Sequence, residues 1–227
     1  MKRLAISIAA ALAVTAPLAL AQGNSGSSSA PAADKASPSA IEFAIAGFHV
    51  NILENGEGGA VSVAGEDGQS ALLAFLTPAA GEAALGAIED ETISVVPAPL
   101  GLIMQKWDGP IVFESSSAEI EHAKALTDEQ VNFLAPAFFV TTDGKETRIK
   151  TPEGLLVPIL LSYDDAESMV TRLAETGADE STIEIVPIEF ASVLKQISSP
   201  EAPIGYRIYT HPGTIESIDA ATSAEQN

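Results

Sequence analysis

The stretch ISVVPAPLGLIMQKW, residues 93–107, has a close counterpart ninety residues later in IEIVPIEFASVLKQI, residues 183–197. Each begins with β-branched residues, reaches a proline, and continues with apolar residues spaced three, four and seven apart. That spacing puts the apolar side chains on one face of a helix. Each stretch is therefore predicted to be a strand followed by a helix, and the chain to contain one unit twice.

The repeat extends beyond these two stretches. An offset of ninety residues also aligns Phe48 with Phe138 and Pro97 with Pro187. Between these positions the offset is eighty-five, where LTPAAGEAAL (76–85) meets LSYDDAESMV (161–170). The length differences fall in predicted turns, where insertions are tolerated best.

Helix and strand signals follow the same order in both halves. Ser37 before Pro38 opens the first half, and Thr127 at capping-box spacing from Gln130 opens the second. ALLAFLT (71–77) and LLVPILLS (155–162) are continuous apolar runs, as in strands buried on both faces. PIVFES (110–115) and GYRIYT (205–210) are candidate closing strands. We predict an α+β fold of two tandem pseudo-symmetric halves, each a mixed sheet covered by helices (helix, three strands, helix, strand, helix).

The two ends of the chain differ from the repeated part. MKR followed by an apolar run and Ala21 is the layout of a cleaved signal peptide, so export to the periplasm is expected. A retained membrane anchor is the alternative, which Pro17 within a short run disfavours. The predicted organisation is a signal peptide at 1–21, a flexible leader at 22–36, a first half at 37–126, a second half at 127–212 and a flexible tail at 213–227.

The charge balance excludes several classes of partner. Loss of Lys2 and Arg3 with the signal peptide leaves 9 of 11 basic residues against 31 acidic residues, a formal charge of −22 (9 − 31). Nucleic acids and anionic membranes are bound through Lys and Arg, so neither they nor membrane insertion after cleavage is expected. A chain with no cysteine also has no disulfide framework and no thiolate nucleophile or ligand.

Groups capable of catalysis do not form a recognisable pattern. The three histidines lie in different contexts, a strand, a polar segment and a THPG turn: His49, His122 and His211. Glu119 and His122 have the spacing of a carboxylate–histidine metal pair, but a solvated helix explains them more simply. Asp164 and Asp165 suit the first turn of a helix. No catalytic residue, metal site or cofactor is predicted, although a metal-independent hydrolase with paired carboxylates stays open.

The second half resembles the family of the twenty-two-kilodalton subunit of the chloroplast inner-envelope translocon and its bacterial relatives. The family pattern P-x-F-x-x-x-x-x-G, then D-A, then V-x-x-V-P-x-x-L-x-x-V, is matched by Pro136, Phe138, Gly144, Asp165, Ala166, Val186, Pro187, Phe190 and Val193. Through the duplication the resemblance covers residues 37–210, but the first half has Ala79 and Ala80 in place of D-A. A single unit of the serine-sensitivity-enhancer type is similar, yet it explains neither the signal peptide nor two copies.

The resemblance implies an exported, non-enzymatic protein without a cofactor. Such a protein binds unfolded or precursor envelope proteins and has a chaperone-like role in protein transport or outer-membrane biogenesis. Outer-membrane assembly machinery is a further expected partner, and the oligomeric state is left open. A secreted structural or interaction domain and, less favoured, the hydrolase are the alternatives.

The final helix of each half supplies the candidate client-binding residues. Met104 and Trp107 in the first half correspond to Leu194 and Ile197 in the second. We expect them to border an apolar surface that holds unfolded clients, with Met104 as an adaptable contact. The alternative is that they are ordinary core residues.

Overall fold

The structure is a computed structural model that describes residues 39–64, 68–127, 131–203 and 205–225. The predicted signal peptide and leader, and the predicted cap Ser37, lie outside these residues. Within them, no helix combines the length and the hydropathy that crossing a membrane would require.

The first half alternates short helices with a five-stranded sheet. Ser39 caps the first helix through a capping box with Glu42. The elements are α1 (Ala40–Ala44), β1 (His49–Glu54), β2 (Ser62–Ala64), β3 (Ser70–Phe75), α2 (Pro78–Leu85), β4 (Ser94–Pro99), α3 (Leu100–Lys106), β5 (Ile111–Glu114) and α4 (Ser117–Ala125).

From its first strand onward, the second half has a similar succession of elements, with one additional strand (Ile149–Thr151) and a 3-10 turn. Its helix α5 is capped by Ser162, whose hydroxyl accepts from the Asp165 N–H. The elements are β6 (Pro136–Thr142), β7 (Lys145–Glu146), β8 (Ile149–Thr151), β9 (Gly154–Ile159), α5 (Tyr163–Glu175), a 3-10 turn (Glu180–Thr182), β10 (Ile183–Glu189), α6 (Phe190–Ile197), β11 (Tyr206–Ile208) and α7 (Pro212–Glu225).

The sheets mix antiparallel and parallel pairs. In the first half β1 pairs antiparallel with β4 and β3, β2 pairs antiparallel with β3, and β5 pairs parallel with β3. In the second half β6 pairs antiparallel with β10, and β9 pairs parallel with β11. A bridge between Phe138 and Leu160 joins β6 to the residue after β9. The predicted α+β fold of mixed sheets covered by helices is confirmed.

One central core connects the halves, and each half has a smaller outer core. The central core takes residues from the strands of both halves and from three helices, including Ala44, Phe48, Val50, Ile52, Leu72, Leu100, Phe139, Ile159, Phe190 and Ile197. The first outer core comprises Leu53, Phe75, Ala80 and Ile93. The second outer core comprises Ala123, Phe133, Phe138, Val140, Leu160, Ala166 and Ile183. Burial on both faces explains the continuous apolar strands.

The hydrogen bonds of the two halves correspond, but not at the predicted offset. The Leu100 N–H donates to the Phe48 carbonyl, and the Phe190 N–H donates to the Ala135 carbonyl. Leu100 and Phe190 are ninety residues apart, as expected, whereas Phe48 corresponds to Ala135, an offset of 87 (135 − 48). The pairing of Phe48 with Phe138 was therefore wrong. Pseudo-symmetric superposition of the halves stays a prediction.

One local expectation was also wrong. Residues 131–133 are not helical, so no helix from Thr127 continues through them; the helix of this region is α4, which ends at Ala125. The tail that we expected to be flexible is helical in its described part, because α7 continues to Glu225, and its flexibility stays a prediction. Thr214 near the start of that helix is completely buried.

Strands β4 and β10 contain prolines whose backbone nitrogen points away from the partner strand. Because the Leu100 N–H bonds to Phe48, alternate residues of β4 point their N–H towards β1, and Pro97 and Pro99 fall between them. The same argument places Pro187 of β10 on the side away from β6. Among the described residues, β4 pairs only with β1, and β10 pairs only with β6.

Candidate functional site

The predicted client-binding helices begin three residues after the repeated prolines. Strand β4 continues through Pro97 to Pro99 before α3, and β10 continues through Pro187 to Glu189 before α6. Neither helix has a side-chain cap. The Glu189 carboxylate instead accepts from the N–H groups of Leu134 and Ala135, at 3.0 and 3.2 Å. This contact fixes the start of α6 against the chain that enters β6.

The inner faces of α3 and α6 lie in the central core. Leu100 and Phe190, the first residues of the two helices, are fully buried. The Phe190 ring lies 5.8 Å from the Phe48 ring and 5.0 Å from the Phe113 ring, both in tilted or edge geometry. Since Phe48 and Phe113 belong to the first half, the Phe190 ring packs the second half against the first.

The four predicted client-binding residues differ in exposure. Met104 is 44% exposed, whereas Ile197 is only 2% exposed and belongs to the central core. Trp107 and Leu194 are half-buried and pack against the margin of that core, one from each half. Ile197 is therefore a packing residue, while the other three side chains retain surface that another molecule can contact.

Trp107 is held in one orientation. Its indole N–H donates to the Pro110 carbonyl at 3.0 Å. A Cβ at Gly109 would approach the Trp107 Nε1 to 2.9 Å, so only glycine fits there without displacing the indole. Trp107 thus presents a fixed aromatic surface three residues after Met104, whose side chain is flexible.

A separate cavity of about 460 Å³ lies where several helices begin. The N-terminal ends of α2, α4 and α5 border it, together with the turn before α7, through Thr77, Pro78, Ala79, Ser116, Glu119, Ser162, Asp164, Asp165, His211, Pro212 and Gly213. Thr77, Ser116 and Ser162 each accept a hydrogen bond from a backbone N–H of the helix they cap. Their hydroxyl groups are therefore committed to helix capping.

Acidic side chains and one histidine determine the electrostatics of the cavity. Burial raises the pKa of Asp165. The Glu119 Oε1 lies 3.8 Å from the His211 Nε2, while its Oε2 accepts from the Tyr163 N–H at 2.9 Å. The His211 Nδ1 accepts from the Gly213 N–H at 3.1 Å and so caps α7. Glu119 links three helices at this point.

The structure changes the roles of the singled-out polar residues. Glu119 does not pair with His122, whose ring instead stacks on Tyr163 at 4.4 Å. Asp164 and Asp165 lie in the first turn of α5, as predicted. Among the described residues, no three His, Asp or Glu side chains are arranged to hold a metal ion.

Sequence reasoning missed the buried pair Asn51 and Thr214. The Asn51 Nδ2 donates to the Thr214 Oγ1 at 2.9 Å and to the Phe75 carbonyl at 3.3 Å. The available signal was a lone asparagine in the apolar strand FHVNIL, which requires a partner when it is buried.

Comparisons with known proteins identify the fold through structure rather than sequence. No family model matches the chain. No curated protein sequence matches it either. The structure of Anabaena Tic22, described as protein transport, is similar with a TM-score of 0.61 and 20% identity over 79% of this chain and 95% of that chain. Tic22 from Plasmodium falciparum is similar with a TM-score of 0.61 and 12% identity over 82% of this chain and 99% of that chain. The chain therefore has the fold of the Tic22 proteins, the family that its second half resembles.

Proposed function

We propose that this chain binds unfolded or precursor proteins during protein transport and has a chaperone-like role. The observation that carries the proposal is the similarity of nearly the whole fold to Anabaena Tic22, whose structure is described as protein transport. The proposal includes export to the periplasm and contact with outer-membrane assembly machinery. It assigns no catalytic step and no cofactor to the chain.

The surface beside α3 and α6 supports the proposal. Met104 is exposed, and Trp107 and Leu194 are half-buried at the margin of the central core. A flexible thioether together with a fixed indole suits clients of varied sequence, because the thioether adapts while the indole provides a rigid contact. We propose these three residues as the contact set and leave out the buried Ile197.

The surface charge supports the same role. The whole chain has a formal charge of −20, and self-repulsion at that charge keeps a protein soluble. Solubility matters most for a protein that holds apolar segments, since such a complex would otherwise associate further. The surface charge therefore complements an apolar contact set of limited size.

An aggregation assay tests the proposal. A chemically unfolded model enzyme is diluted into buffer with increasing amounts of the purified chain, and light scattering follows its aggregation. We expect near-stoichiometric suppression of aggregation. Met104→Ser should weaken binding of the unfolded enzyme roughly fivefold, the equivalent of about 1 kcal/mol of lost apolar contact.

Leu126→Ser is the matched control, because Leu126 is also an exposed apolar residue, 37% accessible, but lies at the end of α4. It should leave both suppression and binding unchanged. Absence of suppression together with absence of binding would contradict the proposed function. Equal weakening by both substitutions would contradict the assignment of Met104.

A further inference from the structure

Helices α4 and α7 are exchanged between the halves. Each follows a strand of one half and packs on the other half. Helix α4 follows β5, which pairs with β3 in the first half, yet α4 contacts β6 and α5 in the second half. Helix α7 follows β11, which pairs with β9 in the second half, yet α7 contacts β1 and β4 in the first half. Each half is thus completed by a helix from the other.

The two exchanged helices occupy corresponding positions. Strand β5 begins at Ile111, which pairs with Leu72, and β11 begins at Tyr206, which pairs with Val157. Ile111 and Tyr206 are 95 residues apart (206 − 111). The same offset sets the cap Ser116 of α4 on the cap His211 of α7 (211 − 116) and Glu119 on Thr214 (214 − 119).

Helix α4 is attached along its length. Glu119 is buried and accepts from the Tyr163 N–H, Ile120 packs on the second outer core, and Ala123 is completely buried. Moving α4 away would leave a buried backbone N–H without its partner and expose apolar surface.

Among the side chains that the structure describes, helix α7 is buried in its first two turns. Thr214 is completely buried and Ile218 is half-buried, but Ile215 is 47% exposed and residues 219–223 are exposed. Thr214 accepts a hydrogen bond from Asn51 of the first sheet. The buried contact of α7 is therefore shorter than that of α4 and includes a polar bond.

The surface beneath α7 also differs from the surface beneath α4. Asn51 in β1 is the β-pairing partner of Phe75, and Phe138 in β6 is the β-pairing partner of Leu160. Because Phe75 and Leu160 are related by the offset of 85 residues (160 − 75), Asn51 and Phe138 hold corresponding positions. Phe138 is fully buried in the second outer core and contacts the Tyr163 ring at 5.9 Å. If α7 moved away, water could form hydrogen bonds with the exposed Asn51 amide, whereas an exposed Phe138 ring has no polar group for water to bond. Exposing the first sheet beneath α7 therefore costs less free energy than exposing the second half beneath α4.

We propose that α7 is a releasable strap that opens while the remainder of the fold stays intact. Its cap His211 and its first residues Pro212 and Gly213 form part of the cavity wall, so its release would open the cavity as well as the outer face of β1 and β4. Helix α4 is the fixed counterpart of the strap. This inference does not depend on the proposed transport function.

Amide hydrogen exchange on the full chain, read by mass spectrometry at peptide resolution, tests the strap. Peptides from 212–225 should exchange at least about a hundredfold faster than peptides from 117–125, relative to their intrinsic rates, because local opening needs less free energy than global unfolding. Equal protection of the two helices, both at the level of global unfolding, would overturn the proposal.

Three variants test the role of the buried hydrogen bond. Thr214→Val removes the acceptor for Asn51 and should speed exchange of α7 roughly three- to tenfold without changing exchange of α4. Thr222→Val is the matched control, since Thr222 is exposed and its hydroxyl donates to the Ile218 carbonyl within α7. The double variant Asn51→Leu with Thr214→Val replaces both partners by apolar groups and should slow exchange of α7 again.

The variants also provide the contrary outcomes. If Thr214→Val sped exchange of α4 as much as that of α7, the bond would support the whole fold rather than the strap. If Thr222→Val had the same effect as Thr214→Val, helix propensity rather than attachment would control the opening. Either result would overturn the proposed latch.

Discussion

At the scale of single residues, Ile197 and Met104 show how one predicted face separates into core and surface. Ile197 belongs to the central core, whereas Met104 is 44% exposed. Ile197→Ala should lower the free energy of unfolding by about 2–5 kcal/mol, and Met104→Ala by less than about 0.5 kcal/mol. Urea unfolding followed by circular dichroism measures both. Similar costs for the two substitutions would contradict these placements.

Tyr206 should make stability depend on alkaline pH. Burial and a hydrogen bond to Glu146 raise the pKa of Tyr206 to about 12. The ordinary pKa of tyrosine is about 10, so the folded state holds the neutral phenol more tightly than the unfolded chain does. This contribution is complete below about pH 10 and is lost as pH rises through about 12.

Tyr206→Phe should therefore remove part of the loss of stability between about pH 10 and 12. Urea midpoints measured across this range test the expectation. Tyr209→Phe is the control, because Tyr209 is an exposed tyrosine close in the chain. An unchanged pH profile in Tyr206→Phe would contradict the role given to the phenol.

Residue spacing predicted the apolar face of α3 and α6 but not which of its members reach the surface. Spacing gives direction around a helix, whereas exposure depends on what lies opposite. The contact between Glu119 and His211 had no sequence signal, because the residues are 92 positions apart (211 − 119) and meet only through the exchanged helices. The local pair Glu119 and His122 attracted attention instead, although His122 stacks on Tyr163.

At the scale of elements, Glu189 explains why the predicted helix from Thr127 does not continue to β6. The N–H groups of Leu134 and Ala135 bind the Glu189 carboxylate, and Phe133 is buried in the second outer core. Capping-box spacing is a local signal, and these tertiary contacts oppose it. The strands were predicted more successfully, because a strand that is buried on both faces has a continuous apolar sequence that can be recognised directly.

Glu189→Ala should remove the acceptor of two backbone N–H groups and cost about 1–3 kcal/mol in the free energy of unfolding. Glu189→Gln retains one carbonyl oxygen and should cost less. Glu184→Ala is the control, because Glu184 is exposed on the same strand. Chemical denaturation measures all three variants, and a cost for Glu189→Ala no larger than that of the control would contradict the capping role.

At the scale of the whole molecule, the central core should make the two halves unfold together. It includes Phe48 and Leu100 from the first half and Phe139 and Phe190 from the second. Fluorescence of Trp107, the only tryptophan, reports on the first half, while far-ultraviolet circular dichroism reports on both. The two transitions should coincide in urea. A fluorescence midpoint clearly below the circular dichroism midpoint would contradict a shared core.

Much of the succession of strands and helices along the chain could be predicted from sequence, but the offset between the first strands of the halves could not. Alignment paired Phe48 with Phe138 because both are phenylalanine. Phe48 fills the central core, whereas Phe138 fills the second outer core, on the other face of its sheet. A sequence match records residue type, while the face of a strand depends on register. The apolar content shows that both faces are buried and does not specify which residue enters which core.

The prolines of β4 and β10 limit how this protein can recognise another chain. Pro97 and Pro99 leave β4 with few outward N–H groups, so a further strand would find few donors there, whereas Pro187 removes a single outward N–H from β10. A guest polypeptide therefore cannot readily extend the first sheet at β4 by backbone pairing, the route that also leads to fibrils. At that edge, contact with another chain must be made through side chains instead. The β4 edge is thereby protected from becoming a template for strand-by-strand aggregation.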